Sequence, residues 1–178
     1  MTENTSDLKS YIRNIDHGAM IAAIIFLGFG LCGLIFGGDS SGFALFPLAL
    51  GIGWLLKWYF GFNRASKCIN ELISDGSITS VLSDFQNGKH CLNDNIIVGE
   101  NYLIGKKSSC VLSYSEITRL YQFVHKTNFV EDQRKLQAVT TSGKTYSLAR
   151  LELKGRSNEE LNTLLVEILS RNAAIKVG

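Results

Sequence analysis

The chain lacks the common signatures of catalysis. There is no G-x-S-x-G, no H-E-x-x-H, no P-loop and no dinucleotide fingerprint following a strand. Gly28, Gly30 and Gly33 have the dinucleotide spacing, but they stand inside an apolar run. The cysteines, Cys32, Cys68, Cys91 and Cys110, form no C-x-x-C pair, and His90 beside Cys91 has no second ligand pair at metal spacing. Neither a metal nor a cofactor is expected, and lone thiols of this kind pack as small hydrophobes. His125 with Glu131 and Asp132 is the one acid–base grouping, and it reads as strand-end polarity. A strong basic surplus is missing too: 18 Lys and Arg stand against 16 Asp and Glu. That balance argues against a nucleic-acid partner. No enzyme activity is expected.

The most informative absence is local. Residues 18–37, GAMIAAIIFLGFGLCGLIFG, carry no charge. At a rise of about 1.5 Å per residue this stretch can cross about 30 Å of hydrocarbon. It is longer than the apolar core of a signal peptide, about 7–15 residues, and no small-residue cleavage site separates it from the next apolar run.

The second run begins near Gly42 and reaches Leu56, about one turn short of a comfortable span. Lys57, Trp58 and Tyr59 follow. A lysine near a helix end can carry its ammonium to the headgroups, and Trp54, Trp58 and Tyr59 are the aromatics expected at that depth. Lys57 therefore marks an interface. Two spans are expected, about 18–37 and 42–60, antiparallel because the GDSS connector is short. Gly33, Gly37, Ala49 and Gly53 are the small residues expected to let helices approach, within the hairpin or at a homo-oligomer seam. Pro47 falls early in the second helix, at a kink or in the first turn. Lys9, Arg13, Arg64 and Lys67 flank the spans, while the connector holds only Asp39. Both termini are therefore expected in the cytoplasm, with the protein integral to the cell membrane.

Residues 1–16 place Leu8, Tyr11, Ile12 and Ile15 at helical spacing, as in a short interfacial helix. Residues 63–88 read as two linker helices ended by Asp75-Gly76 and Asn87-Gly88. From 89 to 151 short apolar runs alternate with turn residues, and a hairpin is expected about Ser142-Gly143. Ser157-x-x-Glu160 is a capping box, followed by an apolar stripe at Leu161, Leu164, Leu165, Ile168 and Leu169. An antiparallel sheet or barrel closed by a C-terminal amphipathic helix is the layout of a pleckstrin-homology-like (PH-like) fold. The class is α+β, with a transmembrane hairpin at 17–62 and the sheet domain at 89–178.

The segments VLSDFQNG (81–88), VGENYLIGK (98–106), LSYSEITRLYQFVHKTNFVEDQRKLQAVTTSGKTYSL (112–148) and RNAAIKVG (171–178) carry a resemblance. The chain resembles a functionally uncharacterised family of small bacterial membrane proteins with two N-terminal spans and a PH-like cytosolic domain. Ala173 stands where such relatives often carry proline. The resemblance implies a fold and a location, and no catalytic residues. The expected role is a membrane-anchored interaction or scaffold module, its partners the bilayer and an unidentified protein. The alternative is an anionic-lipid-sensing or self-assembling membrane protein. Lys106, Lys107, Arg134 and Lys135 are the candidate anion or headgroup contacts.

Overall fold

The computed structural model describes residues 2–13, 17–36, 42–128, 130–151 and 157–178. The chain divides into two compact units, one of residues 14–64 and one of residues 1–13 with 65–178.

The first unit holds α2 (His17–Phe36) and the leading part of α3 (Leu45–Ser74). Both helices are long and apolar enough to cross a membrane by length and composition, and their large side chains, such as Phe29, Ile35, Phe46 and Ile52, are exposed. Pro47 is the third residue of α3, where the missing N–H costs nothing. The contact between the helices is made by glycines. A Cβ on Gly33 would lie 2.8 Å from that of Ala44, and one on Gly51 would lie 2.7 Å from Leu27 Cγ. A Cβ on Gly30 would overlap Leu48. Small residues at the contact let the two backbones close together.

The second unit is α+β. Its first sheet has the order β1 (Lys89–Cys91), β2 (Ile96–Val98), β3 (Tyr102–Gly105), β4 (Val111–Ser113), antiparallel throughout. β2 is buried at every residue, which explains its unbroken Ile-Ile-Val run: both faces of the strand are covered. The second sheet has the order β7 (Thr145–Leu151), β6 (Val130–Thr140), β5 (Ile117–Thr127), β8 (Lys176–Val177). It is antiparallel except where the two-residue β8 lies parallel beside Arg119 and Leu120. The β6–β7 hairpin turns at Gly143, whose φ of +75° suits glycine.

The sheets do not close into a barrel, which corrects the closed form of the expectation. They meet where Gly105 backs onto Leu148: a Cβ there would sit 2.5 Å from the Leu148 carbonyl oxygen. Leu148 occupies a register shift of β7 against β6, so that close approach carries no ladder. Between the sheets lies the main core, including Ile96, Leu103, Leu120 and Leu136. The last helix, α5 (Ser157–Arg171), inserts Leu161, Leu164 and Ile168 into it. The Ser157 side chain of the expected capping box lies outside the described residues.

A second core covers the other face of the first sheet. Ile97 and Ile104 meet Leu8 and Ile12 of α1 (Thr2–Ile12), Ala65 and Ile69 of α3, and Val81 and Leu82 of α4 (Ile78–Asn87). The sequence partition placed 1–16 and 63–88 outside the sheet domain. In the structure residues 2–13 and 65–88 are part of it, because the amphipathic stripes of α1, α3 and α4 find their apolar partner in the sheet. Tyr11 and Ile12 carbonyls accept the N–H groups of Lys107 and Ser109, so the end of α1 is also stitched to the β3–β4 loop.

Candidate functional site

Two polar junctions organise the folded unit. At the first, Asp84 of α4 is buried, and one carboxylate oxygen accepts the N–H groups of Asn101 and Tyr102 at 2.8 and 2.9 Å. Gly99 packs so close to this carboxylate that any Cβ would overlap it. VLSDFQNG and VGENYLIGK, distant in sequence, are thus two halves of one clamp. Beside it a cavity of about 450 Å³ is lined by Lys89, Glu167 and Arg171, which are joined by ion pairs of 2.9 Å (Lys89–Glu167) and 3.6 Å (Arg171–Glu167). The Lys89 ammonium holds the Glu167 carboxyl below its ordinary range.

At the second junction, Asp94 gathers His90, Lys106 and Tyr11. Lys106 Nζ lies 2.9 Å from Asp94 Oδ2, His90 Nδ1 contacts Oδ1, and the Tyr11 hydroxyl donates to the Asp94 carbonyl at 3.0 Å. The Lys106 ammonium also stands 5.6 Å from the Tyr11 ring centroid. Hydrogen bonds from Lys106 and His90 lower the Asp94 pKa, while burial raises that of the Tyr11 phenol. The backbone is left-handed at three successive residues, Leu92, Asn93 and Asp94, with φ of 52°, 53° and 63°. That conformation costs roughly 1–2 kcal/mol per residue and persists where neighbouring contacts fix it.

Two further open concavities lie among the described residues. A polar cleft of about 530 Å³ sets Cys68, Glu71 and Asp75 opposite Ser113, Thr140 and Lys144. An apolar groove of about 650 Å³ lies between α1 and the α3–α4 pair, floored by Ile69, Ile73, Ile78 and Leu82. Burial raises the thiol pKa of Cys68 and pushes Cys110 up to about 12, so these sulfurs stay protonated and are poor nucleophiles. Among the described residues no group of three His, Cys, Asp or Glu is placed to hold a metal.

The four expected anion contacts are split up. Lys106 is held by Asp94, and Arg134 pairs with Glu131 at 2.6 Å. Lys107 is exposed in the β3–β4 loop, with φ 56°. Arg134 and Lys135 point to opposite faces of the second sheet, as neighbours in a strand must. Lys135 shares the outer face with Arg150, directly opposite it, a partner that sequence order gave no reason to select. Of the expected helix-packing residues, Gly33 is at the α2–α3 contact, whereas Ala49 is exposed and a Cβ on Gly53 would meet nothing within 4 Å. Gly37 lies outside the described residues. Gly30 and Gly51 are at the contact instead. Lys57 folds back over Trp54, its ammonium 4.6 Å from the ring centroid, and Tyr59 and Phe60 meet edge to face.

No protein-family model, curated protein or solved structure matches the chain.

Proposed function

We propose that the protein is a membrane-anchored, non-catalytic interaction or scaffold module, with its PH-like unit in the cytoplasm. The observation that carries the anchor is the exposure of two apolar helices: 17% of the apolar window in the first and 11% in the second is buried. A core helix of a water-soluble fold would be mostly covered. The fold adds an independent argument for an even number of crossings. Residues 1–13 and 65–178 make one compact unit, which fits a hairpin that leaves and returns on the same side. The basic flanks, Lys9 and Arg13 before it and Arg64 and Lys67 after it, favour the cytoplasmic side.

The interaction role rests on what the folded unit offers: open concavities and a bare sheet face, with its buried thiols protonated. A lipid-sensing role finds less support, because Lys106 and Arg134 already spend their charge on Asp94 and Glu131. A self-assembly role loses Gly33, which faces Ala44 of its own chain.

The deciding experiment is crosslinking of the full-length protein in its membrane, followed by mass spectrometry. A reproducible partner at stoichiometric level supports the module. Recovery of the protein alone, in multimers, would replace it with self-assembly. Replacing Lys57 by Asp tests the anchor, since a short acid cannot reach the headgroups; normal membrane yield of that variant would count against Lys57 as an interface residue.

A further inference from the structure

The outer face of the second sheet holds an arrangement that the fold itself does not need. Register aligns Phe123, Lys135 and Arg150 in one row across β5, β6 and β7. Directly opposed like charges destabilise a sheet. Elsewhere in the unit Lys89, Lys106, Arg134 and Arg171 all have carboxylate partners. Lys135 and Arg150 form no ion pair with a described residue, and Glu131 of the same strand is taken by Arg134. The next row holds Tyr121, Gln137 and Ser147, and the one beyond it Arg119, Val139 and Thr145. The Arg119 guanidinium stands 5.5 Å from the Tyr121 ring centroid. The face thus has cations at both ends, aromatic rings on one strand and hydrogen-bonding side chains between them.

We propose that this face docks an acidic segment of a partner protein, whose carboxylate or phosphate groups bridge Lys135 and Arg150 while an apolar side chain rests on Phe123. The proposal deepens the interaction-module reading and rests on it. Charge complementarity selects the occupant: an anion between Lys135 and Arg150 turns a repulsive pair into two attractive contacts. A bilayer is a poorer match. The most exposed apolar side chain of the sheet, Val130 at 67%, is at the β5–β6 tip, about 16 Å along the strand from Lys135. Single-stranded nucleic acid would stack successive bases on several free ring faces, and with Arg119 over Tyr121 these three rows leave Phe123 alone for that.

The test uses the full-length protein in neutral detergent and fluorescence anisotropy. The probes are a labelled peptide of alternating Glu and Phe, its Lys-for-Glu counterpart, a labelled oligothymidine and a short-chain phosphatidylserine. The acidic peptide is expected to bind saturably and more weakly as salt rises, with at least a tenfold loss in the Lys135→Gln, Arg150→Gln double variant. Lys135→Glu alone is expected to abolish peptide binding while raising Tm by up to about 3 °C, because it replaces repulsion by attraction. Equal binding of the acidic and basic peptides, full binding by the double variant, or a lower Tm in Lys135→Glu overturns the proposal. Binding of oligothymidine or phosphatidylserine without the acidic peptide also overturns it and reassigns the face. If membrane crosslinking captures a partner equally well with the double variant, the module stands and this face is not its site. If no partner is captured and no peptide binds, both fall.

Discussion

The carboxylate of Asp84 accepts the backbone N–H of Tyr102 at 2.9 Å, tying a helix to the strand turn that covers it. The same oxygen accepts Asn101 N–H at 2.8 Å. Hydrogen bonds to a charged group contribute about 1.5–3 kcal/mol each, and a buried N–H left without a partner costs more than the bond alone. Asp84→Ala is expected to destabilise by about 2–4 kcal/mol, and Asp84→Asn by less, since an amide oxygen still accepts. Urea unfolding followed by circular dichroism in neutral detergent reads this; an unshifted midpoint for Asp84→Ala would remove the clamp from the account.

Gln122 faces inward beside Leu136, and its Nε2 is buried with no hydrogen-bond partner among the described residues. Gln122→Met keeps the length and removes the orphaned donor. It is expected to raise stability by about 1 kcal/mol, within the range for an unsatisfied buried polar group. A lower urea midpoint would mean that the amide is satisfied in solution.

The α2–α3 contact predicts which cysteine pairs can be bridged. In a variant lacking the native cysteines, Gly33→Cys with Ala44→Cys is expected to oxidise within one chain, because those Cβ positions lie 2.8 Å apart and an opening of about 1 Å brings them to disulfide separation. Gly28→Cys with Gly53→Cys is not, since a Cβ at either site meets nothing within 4 Å. Electrophoretic mobility separates intrachain from interchain products. Interchain bridging through Gly33 would return that residue to an oligomer seam.

Acid is expected to loosen α1. The Asp94 carboxyl is held below its ordinary range by Lys106 and His90. A depressed carboxylate stabilises the fold above its unfolded pKa, near 3.9, and the contribution is lost as pH falls through the lower folded value. Amide protection in α1, relative to intrinsic exchange, is therefore expected to fall below about pH 4 in the wild type, and to be lower already at neutral pH in Asp94→Asn. Protection in the wild type that does not change with pH would separate α1 from this junction.

Alkali acts on the opposite side. The Cys110 thiol is pushed up to about 12, far above an ordinary thiol near 8.5. Its contribution is complete below the unfolded pKa and fades as pH rises toward the folded one. Stability is expected to decline above about pH 9, and less so in Cys110→Ala after allowance for that variant's cavity. Alkylation at pH 8 is expected to spare Cys110 under native conditions and to label it in urea.

Features governed by neighbours in sequence were legible, and those created by register were not. The Ser142-Gly143 turn and the Leu161–Ile168 stripe announce themselves by turn chemistry and period. The stripe Leu8, Tyr11, Ile12 was equally visible, but an apolar helix face does not name what covers it, and a bilayer surface and the back of a sheet ask for the same residues. Arg150 was passed over because its relation to Lys135 exists only once β6 and β7 are paired. The glycines were conspicuous, yet choosing Gly30 and Gly51 over Gly53 requires knowing how two helices are rotated.

The sharing of one core by α1 and by strands far downstream also sets an order of events during synthesis. Leu8 and Ile12 are made before Ile97 and Ile104, the residues that will cover them, and the apolar hairpin is made in between. Until the first sheet arrives, α1 is an amphipathic helix with an uncovered greasy side, followed in the chain by an apolar hairpin. A surface that holds it in the interim competes with its final docking, so the speed of translation through β2 and β3 becomes a determinant of folding yield.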